Sequence, residues 1–411
     1  MLNSRSEREL VFLVTIDNIE PIIGADNCEA AVVGGWRVMV RKGTFKPNDV
    51  AIYFEIDSLV DISKPEFAFM AKYHGKVKTQ RYTFGGKNPG FYSQGLLMKA
   101  EDLGEGWITS NDCVYSPSSI HYTYDDSRFL TKELNVTYAE VADNKRKSAS
   151  VDKYKVMASR HPKLFKKPIV RKIMKYELGR KIMFFFFGKK KADNAKAFPT
   201  HFQFVGKTDE ERVENIPFVL TDKRRLIASE KLDGTSSTYI LERKGKKKFE
   251  FYVLSRNVRQ LSPEQECYHE KNIYWDMAIK YDIEKHLKDY LNDNPSLNYV
   301  CIQGESVGSV QGNPLKLKED DFYGFNFIRS DVGRISSLDG KTILESWGMK
   351  WVPIISTDWV NPDTMDEMKA LATGKSLVNP DVLREGIVYR DVNDNRFSFK
   401  NVSNEFLAKK K

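Results

Sequence analysis

Apolar and polar positions alternate in short runs through the first third of the chain, at Leu10 to Thr15, Ala31 to Val40, Val50 to Phe54 and Gly95 to Lys99. A two-residue period bounded by turn residues predicts strands, and their spacing from Leu10 to about Val141 predicts a small β-barrel. After Phe198 further strands are predicted at Leu226 to Ser229, Ser237 to Leu241, Phe249 to Leu254, Tyr299 to Gln303, Phe322 to Ile328, Gly386 to Tyr389 and Arg396 to Lys400. Helical periodicity appears at Asp276 to Leu291 and Thr364 to Ala372, so this second region reads as mixed and mostly antiparallel. Between the two, Val170, Ile173, Met174 and Leu178 recur at helical spacing among bases and predict one or two amphipathic helices.

Composition adds a partner class to this outline. The 411 residues suit two domains and a connecting arm, and 41% hydrophobic content supplies enough apolar surface for real cores. A net charge of +9 makes a polyanion, nucleic acid first, the expected partner. That charge is concentrated: Lys145 to Lys191 alone carries +15, leaving −6 for the remainder. A solvated lysine-rich linker and an arm that holds RNA phosphates account equally well for the run. Cys28, Cys113, Cys267 and Cys301 are widely spaced without metal-ligand pairing, which suggests buried thiols in a reducing compartment. The longest apolar run, Ile182 to Phe187, is too short to span a bilayer, and the acid-containing N-terminus does not read as a secretory signal. A cytoplasmic location without a membrane partner is therefore expected.

Two Gly-Lys-Ser/Thr triplets, Gly374-Lys375-Ser376 and Gly340-Lys341-Thr342, lack the earlier glycine of a phosphate loop, since Lys369 and Ile335 stand there. The informative stretch is Ser229-Glu230-Lys231-Leu232-Asp233-Gly234-Thr235-Ser236, between two predicted strands. A lysine closing an apolar strand is partly desolvated, which eases loss of its proton, and a neutral lysine is a nucleophile. The tetrapeptide alone is equally an ordinary hairpin turned by Asp233-Gly234. Four clusters follow in order: Leu254-Ser255-Arg256-Asn257, Gln303-Gly304-Glu305, Phe322-Tyr323-Gly324-Phe325-Asn326, and Glu385-Gly386-Ile387-Val388-Tyr389-Arg390 with Ser398-Phe399-Lys400. Each alone has a structural explanation; together they form a pattern.

From Phe198 onward that pattern resembles the covalent nucleotidyltransferase superfamily of ATP-dependent RNA ligases, DNA ligases and capping enzymes. Lys207-Thr208-Asp209-Glu210-Glu211-Arg212 with Asn215, Gln303 to Asn313, and Phe399-Lys400-Asn401-Val402-Ser403-Asn404 resemble the RNA ligase branch. The strand-rich front resembles the OB-type barrel of Naegleria-type RNA ligases. The implied fold class is α+β: an OB-type barrel over 1–144, a basic arm over 145–197, and a mostly antiparallel, ATP-grasp-like nucleotidyltransferase domain over 198–411. Only 11 residues follow Lys400, which disfavours the trailing OB domain of DNA ligases and capping enzymes.

The resemblance implies roles. Lys231 would attack the α-phosphorus of ATP and carry AMP. Glu230 and Phe325 would recognise adenine, Arg256 the ribose, and Lys400 the α-phosphate, with Glu385 also at the nucleotide. Asp233, Glu305 and Glu385 would hold hydrated Mg2+, with Mn2+ as a substitute. The substrate would be RNA with 3′-OH and 5′-phosphate ends, with no obligate protein partner evident. Many superfamily members have lysine where this chain has Ser398, and Arg390 is the candidate substitute. The alternatives are a capping guanylyltransferase, a DNA ligase, or a non-catalytic RNA-binding protein that retains the fold.

Overall fold

The computed structural model describes residues 1–3, 7–86, 90–103, 128–139, 154, 162–165, 167–187, 197–245, 248–265 and 272–409. The chain packs as two compact units. One comprises Met1–Arg146, Asp209–Lys231 and Ile354–Lys411, the other Lys147–Thr208 and Leu232–Pro353.

In the first unit, Val11–Thr15, Val50–Phe54 and Leu96–Met98 pair antiparallel, as do Asn18–Pro21, Cys28–Val33 and Trp36–Arg41. The single strand expected over Ala31 to Val40 is a hairpin instead. Gly34 adopts φ 58°, a conformation open to glycine, and reverses the chain between Val33 and Trp36. Alternation then places Phe12, Val14, Ala31, Trp36, Val38, Tyr53 and Leu97 in one buried core shared by the two sheets. The strand-rich front also holds a further hairpin, Thr79–Tyr82 with Phe91–Gln94, that the hydrophobic pattern did not predict.

The same unit contains a five-stranded sheet in the order Glu211–Arg212, Ser398–Val402, Gly386–Asp391, Leu226–Lys231, Ile354–Trp359. Its pairings are antiparallel apart from that of Glu211–Arg212 with Ser398–Val402. Val213, Val219, Leu226, Ala228, Ile387, Tyr389 and Phe399 form its core with Met368. Met368 comes from the helix Met365–Ala372, which begins where expected because Thr364 and Glu367 form a capping box.

The second unit is built on a six-stranded sheet that includes Phe249–Ser255, Thr235–Arg243, Tyr299–Val307 and Asp321–Arg329 in that order. The helix expected over Asp276 to Leu291 is two, Ile273–Lys280 and Ile283–Asp293, broken where Asp282 takes φ 45°. The unit also holds the arm helices Pro168–Ile173 and Glu177–Phe187. Much of the basic arm lies outside the described residues, as do Val141, Cys113 and Cys267. Among the described residues no helix is long and apolar enough to cross a membrane.

Candidate active site

The strand Leu226–Lys231 is buried along its whole length until its last residue, and the Lys231 side chain keeps 25% exposure. Thr235–Arg243 belongs to a different sheet, so Asp233-Gly234 does not turn a hairpin. Chain continuity instead makes Lys231 the last residue of one unit and Leu232 the first of a segment in the other.

In the first unit Lys231 pairs across the sheet with Gly386, which sets Glu385 at its side. The Lys231 Nζ lies 2.8 Å from Glu385 Oε2. Gly386 is needed at this position, because a Cβ there would lie 2.2 Å from the Asn401 carbonyl oxygen. On the next strand Lys400 pairs with Val388 on one side and Arg212 on the other. Its Nζ is 2.6 Å from Asp209 Oδ1. Burial, with Arg8 adding to it against Asp209 and with Arg212 and Lys231 nearby, lowers the Lys400 ammonium to about 8. At neutral pH it remains mostly a cation.

Glu230 precedes the lysine and is 1% exposed. The Leu377 N–H donates to its Oε2 at 2.7 Å, while Oε1 is buried without an aligned donor among the described residues. Burial raises this carboxyl, against the opposing pull of Ser376, the Leu377 amide and Arg384. Ser398 faces Arg390 across the sheet, and both bind Glu210: the Ser398 hydroxyl donates to Oε2, and Arg390 Nη2 lies 3.3 Å from Oε1. The base proposed to substitute at this position is therefore its direct neighbour.

The second unit gathers the other predicted residues. Gly234, beside Asp233, donates its N–H to Glu305 Oε1 at 3.1 Å, tying the start of Thr235–Arg243 to the acid. Glu305 pairs with Ser236 on one side and Tyr323 on the other. Tyr323 and Phe325 alternate on the partly open face of Asp321–Arg329. Arg256 is exposed just beyond Phe249–Ser255. Among the described residues no three His, Cys, Asp or Glu side chains gather closely enough to cage a metal directly. The hard oxygens of Asp233 and Glu305, brought to one end of the sheet, suit a cation that keeps much of its water.

The sequence did not join Lys400 to the charges packed around it. Glu55, with its side chain fully buried, forms ion pairs with Arg8 and Arg212 at 2.5 and 3.0 Å, and Arg8 reaches Asp209 at 3.1 Å. Asp209 and Arg212 stood in a quoted motif, but nothing in the sequence joined them to Glu55 or Arg8.

A buried strand thus ends on a lysine with an acid at 2.8 Å, and a second lysine stands on the same sheet. Residues 224–409 match the RNA ligase family model and residues 10–98 an OB-fold domain model. The chain thus carries a domain of the RNA ligase family behind an OB-fold domain. It is similar over nearly its whole length to Naegleria gruberi RNA ligase. Against the structure of that enzyme with pyrophosphate, identity is 27% and the TM-score 0.67, covering 98% of this chain and 99% of that one. Against two of its variants, one solved with ATP and manganese and one with AMP and manganese, identity is 26%, with TM-scores of 0.67 and 0.65 and the same coverage. No curated protein sequence matches the chain.

Proposed function

We propose that the chain is an ATP-dependent RNA ligase that seals RNA 3′-OH and 5′-phosphate ends through AMP held covalently on Lys231. The observation that carries this reading is the Lys231–Glu385 pair on the sheet that also holds Lys400. Glu385 Oε2, 2.8 Å away, holds the Lys231 ammonium in place, and that ammonium gives up its proton to water before attack. The Nζ lone pair then forms a bond to the α-phosphorus of ATP as the α–β bridging bond breaks and pyrophosphate leaves. An oxygen of the RNA 5′-phosphate next displaces Lys231 from the adenylate, and the 3′-hydroxyl finally displaces AMP. Charge builds on phosphate oxygens in every step, so positioning and cations supply most of the catalysis.

Lys400 offers the protein's cation to the α-phosphate, and Arg390 the charge that Ser398 lacks. Glu230, with its unused buried oxygen, and Phe325 receive adenine, Phe325 by stacking; Arg256 binds the ribose. Asp233, Glu305 and Glu385 hold hydrated magnesium or manganese, which when bound neutralises phosphate charge and favours the uncharged Lys231 amine.

The division is a barrel over 1–144, a basic arm over 145–197 and a nucleotidyltransferase domain over 198–411. The barrel and the arm bind RNA, the arm through exposed bases such as Lys167, Arg171, Lys172, Lys175 and Lys181. The setting is cytoplasmic and reducing, which suits the free thiols of Cys28 and Cys301.

The test is incubation with magnesium and α-labelled ATP or GTP, followed by a denaturing gel. Label from ATP that withstands base and is released by acid is expected. Label from GTP alone would replace this reading with capping, and no label from either would replace it with RNA binding without catalysis. Sealing assays on a nick, a broken loop and a free strand then select the substrate.

A further inference from the structure

Glu55 follows the barrel strand Val50–Phe54, inside the OB-fold region, and its side chain has no exposure. A buried carboxylate is costly unless paired, and this one is paired three times: with the N-terminal ammonium, with Arg8 at 2.5 Å and with Arg212 at 3.0 Å. Neither guanidinium ends there. Arg8 Nε lies 3.1 Å from Asp209 Oδ2, and the other oxygen of Asp209 lies 2.6 Å from Lys400 Nζ. Arg212 is the direct cross-strand neighbour of Lys400. The side chains along this path are all at most 12% exposed, so water screens them little. The path therefore runs from a barrel carboxylate to the phosphate-facing lysine of the ligase domain through one arginine and one aspartate.

We propose that Glu55 is a positioning residue for Lys400: by offsetting the charge of Arg8 and Arg212 it lets Asp209, shared with Arg8, hold that lysine charged and in place. The assignment of Lys400 to the α-phosphate rests on the function proposed above. The groups facing Lys400 are Asp209, which favours its ammonium, and Arg8, Arg212 and Lys231, which oppose it. Glu385 stands beyond Lys231. Without Glu55, Arg8 would draw more on Asp209 and Arg212 would keep only more distant acids such as Asp57 at 3.9 Å, leaving more positive charge next to an ammonium already weakened by burial. Lys400 would then lose its proton at lower pH, and its hold on a phosphate would fail earlier as pH rises.

The test reads Lys400 directly. In full-length protein with 15N-labelled lysine, the Nζ signal of Lys400 is identified by its loss in Lys400→Arg and followed against pH. In Glu55→Gln the midpoint is expected to fall by about one pH unit, the scale of one charge acting through a single intervening residue at low dielectric. Arg8→Gln and Arg212→Gln remove opposing cations and are expected to move it upward, so the assignment survives even where Glu55→Gln does not fold. Single-turnover adenylylation should show an alkaline limb that follows these midpoints and vanishes in Lys400→Arg, whose guanidinium stays charged. A Lys400 midpoint unmoved by the arginine substitutions, or a Glu55→Gln protein uniformly slower with an unshifted limb, would reduce Glu55 to a structural role. Wild-type protein that titrates as described yet takes no label from ATP would instead remove the proposed function and leave the coupling standing.

Discussion

Gly386 offers the sharpest test of how the sheet builds the site. The residue is fully paired: Lys231 on one side and Val402 on the other. A methyl group in Gly386→Ala would sit 2.2 Å from the Asn401 carbonyl oxygen and 2.9 Å from the Val402 Cα. Both are backbone atoms, so neither can rotate aside, and relief requires Gly386–Asp391 to move off Ser398–Val402. Overpacking of this kind costs about 1–3 kcal/mol, which corresponds to a melting temperature lower by about 2–6 °C. The chemical consequence should be larger. Glu385 is adjacent to the displaced residue and Lys231 is paired with it, so a displacement of about 1 Å would slow adenylylation about 100-fold. Thermal melting by circular dichroism and single-turnover labelling with ATP measure the two effects. Gly206→Ala is the control, because a Cβ there meets nothing within 4 Å. Wild-type melting together with a wild-type rate in Gly386→Ala would refute the argument that close strand packing positions the nucleophile.

Lys231→Ala should abolish labelling by ATP while the melting curve and RNA binding, measured by filter retention, persist. The Glu55 carboxyl would rise through burial alone, but the N-terminal ammonium, Arg8 and Arg212 outweigh this and hold it at about 2, below its usual 4.5. Its contribution of about 3 kcal/mol is thus present above pH 4.5 and lost as pH falls toward 2. Melting of Glu55→Gln and wild type should therefore differ most at pH 6 and converge on acidification. Replacing Lys167, Arg171, Lys172, Lys175 and Lys181 by glutamine should flatten the salt dependence of RNA affinity by up to about 3 in log–log slope, with labelling by ATP retained. An unchanged slope would assign these bases to a solvated linker.

Most of the longer strands of the ligase region were legible because each is a short apolar run between turn residues, as Phe249–Ser255 and Gly386–Asp391 show, whereas Ile354–Trp359 and Glu211–Arg212 were missed. The capping box fixed the start of Met365–Ala372 equally well. Where the reading failed, backbone conformation decided: Gly34 and Asp282 take positive φ inside patterns that hydrophobicity alone runs together. The hairpin alternative at Asp233-Gly234 needed the sheet order to resolve, since local sequence does not say which strand pairs with which. The partners of Lys400 were hidden for a related reason. Asp209 is 191 residues away, and Glu55 and Arg8 are ordinary charged residues until burial forces them together. Motif order singled out the residues proposed to touch the nucleotide, whereas the charges around them are set by packing.

The strand that ends in Lys231 has as its two neighbours Ile354–Trp359 and Gly386–Asp391, both from the far end of the chain. During synthesis the strand itself emerges well before those segments leave the ribosome. The Lys231 amine meets Glu385 only once both segments have been made, so a chain cut before Ile354 would lack the two strands that flank the lysine and the acid that pairs with it.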